Sequence, residues 1–411
     1  MRRSRLSQIE LVTLSGHDQQ GLISGVMDIL ANYGANILDI GESVIYSNII
    51  LGILVETSDG VDDEKRRQHL KDFVKKKNLS ISFSSIDLST YSKWVKREDS
   101  SRFIVTLLAR KLSAEHLSKV AEVIYKNGLN IDEIKRLSGR ISLEKEIKKE
   151  NRVCIEFSLT GALDNSINFR RNLLQLSRLL GVDLAFQEDN QYRRNRRVVV
   201  FDMDSTLIET EVIDELAQLA GVGQSVKNIT DKAMLGEIDF EKSLRDRVFL
   251  LKDLPVSALE IVAAKLPITG GADNLIKTLR MLGYKTAIIS GGFSFFADKL
   301  RNELGIDYVF ANKLEILNGK LTGRLVGTII DGEGKAKLLN EISLEEGLDS
   351  EQVIAVGDGA NDIAMLSAAG LGVAFRAKPN VIESAEQSIS QVSIDSILYL
   401  LGIADRHHWS T

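Results

Sequence analysis

Val198-Val199-Val200-Phe201-Asp202-Met203-Asp204-Ser205-Thr206 decides the fold: four consecutive apolar residues run into two carboxylates separated by one residue. An unbroken apolar run of this length marks a strand covered on both faces, as in the interior of a parallel sheet. Ligands of such sheets bind beyond the carboxyl ends of the strands, where Asp202 and Asp204 stand. Side chains alternate along a strand, but the turn after it lets both carboxylates reach one pocket. There one acid can attack while the other exchanges protons.

A second apolar run, Val353-Ile354-Ala355-Val356, ends in Gly357-Asp358-Gly359-Ala360-Asn361-Asp362. The two glycines permit close backbone approach, and Asp362 suits the first turn of a helix from Ile363 to Ala369. Carboxylates gathered at adjacent strand ends repel by about 3 kcal/mol per pair at ~5 Å with a dielectric of ~20, so a cation is expected among them. Oxygen donors without a nearby His or Cys favour Mg²⁺. Between the two runs, Lys285-Thr286-Ala287-Ile288-Ile289 reads as a strand leading into Ser290-Gly291-Gly292, ahead of a helix near Phe295 to Leu304. The hydroxyl and open N–H groups of that turn suit an anion. Lys335, on the helix after Asp331-Gly332-Glu333-Gly334, would bring a fixed positive charge to a transferring phosphoryl group.

These residues, in this order, resemble the haloacid dehalogenase superfamily of phosphatases, and within it the enzymes that hydrolyse O-phospho-L-serine. The elements that carry the likeness are Asp202 to Ile208, Glu211, Ser243 to Val248, Ser290 to Phe293, Lys335, Gly357 to Asp362 and Ala377-Lys378-Pro379. The resemblance implies Asp202 as a nucleophile forming a phospho-aspartyl enzyme, and Asp204 as general acid and base. It places Mg²⁺ on the Asp202 carboxylate, the Asp204 main-chain carbonyl and Asp358, with Asp362 supporting them. Ser290, the Gly291 amide and Lys335 would face the phosphate, with Asn361 among the substrate-binding residues and in the shell that orients the metal's waters and the lysine. Glu211 and Arg247 would face the ammonium and carboxylate of the substrate's amino acid part, while Arg245, two residues away, would point elsewhere. The implied activity is hydrolysis of O-phospho-L-serine, the last step of serine biosynthesis. Two alternatives stay open: another small phosphate such as phosphohomoserine as substrate, or an amino-acid-sensing regulator with a vestigial phosphatase domain.

The segment between Glu209 and about Gly271 reads as a helical cap. Val212 to Ala220 closes with Gly221, Val226 to Leu235 closes with Gly236, and Asp239 caps a helix running to about Lys252. Met234 and Phe240 resemble apolar residues that the family places around its pocket. The expected fold is thus a Rossmann-like α/β catalytic domain over residues 196–405 with the cap inserted at about 209–271.

The first half repeats a pattern. Glu10 to Leu14 (strand), Gly21 to Tyr33 (helix), then Asn36 to Ile40 and Ile49 to Glu56 (strands) are followed by a charged helix and a strand near Ile81. Phe103 to Ala109 opens a second round, with a helix from Ser113 to Lys126 and strands at Val153 to Leu159 and Val182 to Phe186. The order βαββαβ is α+β ferredoxin-like. The two units resemble ACT domains, over residues 1–92 and 98–190, with Gly34-Ala35-Asn36-Ile37 echoed by Gly128-Leu129-Asn130-Ile131. That resemblance implies L-serine as effector, with Asp18, Gly21 and Asn36 as regulatory residues. The second unit has Arg110-Lys111-Leu112-Ser113 where the first has its acid and glycine, so its ligand binding stays open.

Among 411 residues the net charge of −5 is spread over interspersed acids and bases, which argues against a nucleic-acid partner. Arg193-Arg194-Asn195-Arg196-Arg197 reads as a solvated linker into the catalytic domain, and His407 and His408 as a polar tail. The single cysteine, Cys154, excludes a disulfide framework and fits a reducing compartment. The longest apolar run, Ile49 to Val55, is too short to span a bilayer. A cytoplasmic homodimer, away from membranes, is the expectation.

Overall fold

The computed structural model describes residues 8–57, 62–96, 101–140, 152–234 and 237–405. His407, His408 and the side chain of Met234 lie outside the described residues. The chain divides into two compact units, residues 1–100 and 101–411.

In the first unit β1 (Gln8–His17), β2 (Asn36–Ile45), β3 (Asn48–Thr57) and β4 (Ser80–Ile86) form an antiparallel sheet in the order β2-β3-β1-β4. Helices Leu22–Asn32 and Asp63–Lys76 bury Leu22, Val26, Leu70 and Val74 against Val12, Leu14 and Ile53. β2 runs five residues past the expected Ile40, because β3 continues to pair with it as far as Asn48.

The same order, β6-β7-β5-β8, recurs in the second unit with β5 (Arg102–Ala109), β6 (Asn130–Arg136), β7 (Val153–Thr160) and β8 (Asp183–Glu188). Gly34 and Gly128 both take left-handed backbone (φ 61° and 74°) as the chain leaves a helix for a strand.

The seven-stranded sheet of the second unit has the order β12-β11-β10-β9-β13-β14-β15. Its strands are β9 (Val198–Phe201), β10 (Lys285–Phe293), β11 (Tyr308–Leu317), β12 (Lys320–Val326), β13 (Val353–Gly357), β14 (Leu371–Phe375) and β15 (Gln387–Ile389). All pairs are parallel except β11 with the edge strand β12. Val198, Val199, Val200 and Phe201 are wholly buried between two apolar layers, as their unbroken apolar run requires. Phe201 pairs with Ile288 of β10 and Val356 of β13, so these three strands end side by side.

The basic segment before β9 is not a solvated linker. Arg193 is fully buried and paired with Glu156 of β7, and the buried Arg196 donates to Gln187 of β8 and to the Gly370 carbonyl, each at 3.2 Å. The cause is a sheet buried on both faces. Leu107 and Phe157 pack under their own helices, while Leu108, Cys154 and Ala185 join the core of the catalytic domain. Asp183 accepts from the Ser390 and Gln391 N–H groups at 2.9 and 2.8 Å. Arg110, in the loop where the acid-and-glycine arrangement is missing, donates to the Gln391 carbonyl.

Candidate active site

The chain leaves β9 through a wide turn at Met203–Leu207, in which Ser205 takes left-handed backbone (φ 58°) and Ile208 N–H returns to the Met203 carbonyl at 3.1 Å. This turn brings Asp202 and Asp204 to one side. Asp358 follows β13 directly, and Ser290 lies in β10 at the same end of the sheet. Asp202, Asp204, Glu211, Arg247, Ser290 and Asp358 line one cavity of about 680 Å³, which Gly291 and Asn361 also border.

Lys335 projects from helix Gly332–Glu345, whose N-cap Asp331 accepts from Gly334 N–H at 2.8 Å. Its ammonium is fully buried, 2.8 Å from Asp202 and 2.6 Å from Asp362. Burial opposes that charge, but the two carboxylates outweigh it and hold the lysine above its ordinary pKa. The other Asp362 oxygen accepts from the Asp358 and Gly359 N–H groups at 3.1 and 2.9 Å. Gly357 is required here, since a Cβ would come within 2.5 Å of the Asp362 carboxyl. Asp202, Asp358 and Asp362 each present an oxygen within 4.8 Å of the others. Three acids against one lysine, all oxygen donors, fit a hard divalent cation. Burial, then Asp202 and Asp362, push Asp358 up to about 8, because a further negative charge is opposed in this buried acidic cluster.

Asp204 differs from its neighbour. One oxygen accepts from Val212 N–H at 2.8 Å, and a Cβ on Gly292 would come 2.2 Å from the other. Burial, with Glu211 and Asp202 nearby, holds its pKa well above the usual carboxylate range. Asp204, with its raised pKa, thus stands beside an acid held by a lysine, and two carboxyls in environments this unlike are suited to acid–base chemistry.

The cap helices run Val212–Leu219, Gly223–Met234, Phe240–Phe249 and Val256–Ala263. Phe240 meets the phosphate-side loop, where a Cβ on Gly291 would come 2.9 Å from its ring. Glu211 accepts from Ser205 Oγ at 2.9 Å, and burial raises its pKa. Arg247 donates to the Ser243 carbonyl at 3.3 Å and lines the same cavity as Asp202 and Asp358. Arg245 turns away to an exposed pair with Glu241.

Three contributors were not read from the sequence. Thr206 donates to Asp358 at 3.1 Å, Ser205 holds Glu211, and buried Asn312 clamps the Gly291 carbonyl (2.9 Å) while accepting from Ile330 N–H (2.9 Å). Thr206 and Ser205 follow β9 and Asp202 closely enough to be suspected. Asn312 gives no signal beyond a polar residue in the middle of a strand, after Tyr308-Val309-Phe310-Ala311.

The regulatory set is split. Asp18 and Gly21 follow β1, where His17 pairs with Asn48, whereas Asn36 pairs with Glu56 at the other end of β3. Eight residues of strand separate these ends by roughly 26 Å. One small ligand on one copy of this sheet cannot touch all three. Asn36 donates instead to Glu56 at 3.1 Å.

Sheet, cap and acid cluster together define an α/β hydrolase that acts at strand ends under a helical lid. A haloacid dehalogenase-like hydrolase domain matches residues 196–370, and ACT domains match residues 8–84 and 101–187. A phosphoserine phosphatase of Streptomyces coelicolor is 40% identical over 394 residues, covering 96% of this chain and 92% of the relative. One of Mycobacterium tuberculosis is 38% identical over 395 residues, with 96% and 93% covered. The crystal structure of a HAD family hydrolase from Salmonella enterica serovar Typhi is 29% identical with a TM-score of 0.63, covering 73% of this chain and 98% of that one. The chain belongs to the haloacid dehalogenase-like hydrolases as a phosphatase that carries two ACT domains.

Proposed function

We propose that the protein hydrolyses O-phospho-L-serine to L-serine and phosphate through a phospho-aspartyl intermediate, as the last step of serine synthesis. The observation that carries this reading is the pair of unlike acids. Asp202 is held by Lys335, and Asp204 is buried with its pKa raised by that burial, in the same cavity as Glu211 and Arg247. An oxygen of Asp202 attacks phosphorus as the phosphorus–serine oxygen bond breaks, and Asp204 gives its proton to the departing oxygen. Water then attacks phosphorus, losing a proton to Asp204, and the bond to Asp202 breaks to restore the carboxylate. Lys335, Ser290 and the Gly291 N–H face the phosphoryl oxygens. Glu211 and Arg247 match the ammonium and carboxylate of serine. Asp202, Asp358 and the Asp204 main-chain carbonyl would hold Mg²⁺. Once bound, the ion would offset negative charge on the phosphoryl group.

L-serine is the proposed effector, acting at Asp18 and Gly21 of the first ACT domain. Among the described residues no helix is long and apolar enough to cross a membrane. A cytoplasmic homodimer is part of this reading. Turnover of O-phospho-L-serine against phosphohomoserine, with Mg²⁺ and with chelator, tests it. Preference for phosphohomoserine, or no turnover of either, sinks it.

A further inference from the structure

The cap leaves the catalytic domain at Leu207–Thr210 and returns at Pro267–Gly271. The two crossings are laddered to each other. Glu209 N–H donates to the Pro267 carbonyl and Thr269 N–H to the Leu207 carbonyl, each at 2.9 Å. The outgoing crossing leads directly into Glu211 and into Val212, whose N–H grips Asp204. The returning one ends at Gly271, which takes left-handed backbone (φ 92°) and presses on Asp395, where a Cβ would come 2.7 Å from the carboxylate. Asn274, in the first turn of the next helix, donates to the same carboxylate at 2.8 Å.

Asp395 is almost fully buried, and its ion-pair partner is Arg152, at the start of β7 in the second ACT domain. The guanidinium lies 5.4 Å from the centre of the Tyr399 ring, and its other arm is 3.7 Å from Asp405. One cation of the small domain thus fixes the carboxylate on which the cap's return crossing rests.

We propose that Arg152 and Asp395 are positioning residues for the cap, coupling the second ACT domain to the cap placement that brings Glu211 onto substrate and Val212 N–H onto Asp204. The proposal rests on the phosphoserine reading for its substrate. The cap crossings respond to Arg152 whatever the substrate is. A buried pair that served only as glue between domains would support all chemistry equally. A pair that sets the cap acts on the substrate that needs Glu211 and Arg247, and spares a phosphate ester that does not.

The test uses the full chain, with O-phospho-L-serine and nitrophenyl phosphate as substrates and amide hydrogen exchange as a readout that needs neither. Arg152→Ala is expected to lower kcat/KM for phosphoserine about fivefold or more, chiefly through KM, and to change nitrophenyl phosphate by less than about twofold. The Glu209 and Thr269 amides exchange faster in that variant. Asn274→Ala, which leaves the buried ion pair intact, shifts both readouts in the same direction. Arg152→Lys recovers most of the loss, and Arg178→Ala, removing an exposed pair with Glu383 on the same interface, changes neither. The wild-type ratio of the two substrates tests the substrate reading separately. Equal losses on both substrates in Arg152→Ala, unchanged exchange at Glu209 and Thr269, or an equal effect of Arg178→Ala would overturn the proposal.

Discussion

Lys335→Met keeps the length of the side chain and removes only the ammonium. In the native protein that ammonium lies 2.8 Å from Asp202 and 2.6 Å from Asp362, with all three groups buried. The carboxylate oxygens of Asp202 and Asp362 come within 4.8 Å of each other, so their unmasked repulsion is about 3.5 kcal/mol at a dielectric of ~20. Removing one partner of a buried pair costs about 3 to 5 kcal/mol by mutational precedent, and the two routes agree. Urea unfolding in chelator should therefore show a loss of about 3 to 5 kcal/mol. Protonating either acid relieves the repulsion. Burial has already raised Asp362, so the loss should shrink below neutral pH and grow as pH rises. Mg²⁺ should return more stability to the variant than to the wild type, because it restores a positive charge among the acids. Phosphate release should stay absent, since no ammonium faces the transferring group. A loss under about 1 kcal/mol in chelator, or equal Mg²⁺ stabilisation of both proteins, would refute the charge reasoning.

Asp202→Asn should lower turnover by at least ~10⁴ while the variant still folds, and residual activity within about tenfold of wild type would remove the nucleophile from Asp202. Asp204→Asn keeps an oxygen for Val212 N–H but cannot act as an acid or a base near neutral pH. Turnover of phosphoserine should collapse, and that of nitrophenyl phosphate, with its good leaving group, should fall far less. Because the folded pKa of Asp204 is raised, its carboxylate detracts from stability as pH rises from the unfolded value toward the folded one. The same Asn variant should then melt higher than wild type at pH 8, and a lower melting temperature would contradict that sign. Arg247→Ala should cost phosphoserine about 1.5 to 3 kcal/mol in kcat/KM and leave phosphoethanolamine, which lacks the carboxylate, nearly unchanged. A chain beginning at Ser101 should keep turnover and lose any non-competitive response to L-serine. One beginning at Gln191 should lose stability, because Arg193 would be left without Glu156 and Leu400 without Gln187. Identical serine responses in the full and Ser101 chains would end the sensing role of the first domain.

The amino-acid sequence by itself determined the class of the catalytic half, a haloacid dehalogenase-like hydrolase domain, and pointed to residues that the structure gathers around one cavity. Four apolar residues before Asp202, four before Asp358 and a strand before Ser290 leave little freedom, because unbroken apolar runs of this kind suit the interior of a parallel sheet, which delivers the residues after them to one edge. Asp239 marked a helix start for a similarly local reason, since its side chain caps its own first turn at Lys242, whereas the helix of Lys335 begins already at Gly332, inside the expected turn, because Asp331 accepts from Gly334 N–H. What only the tertiary structure decided concerns residues whose partners are distant in the chain. Arg193 and Arg196 look solvated by composition and are buried, because Glu156 and Gln187 arrive from strands that local periodicity cannot dock onto another domain. Asn36 and Asp18 look like one site when read along the chain and lie at opposite ends of a sheet, since a strand carries its two ends apart. Asn312 and Asp395 gave no local sign at all. Their roles are contacts with Gly291 and with Arg152 and Gly271, and such pairings exist only once the core has folded.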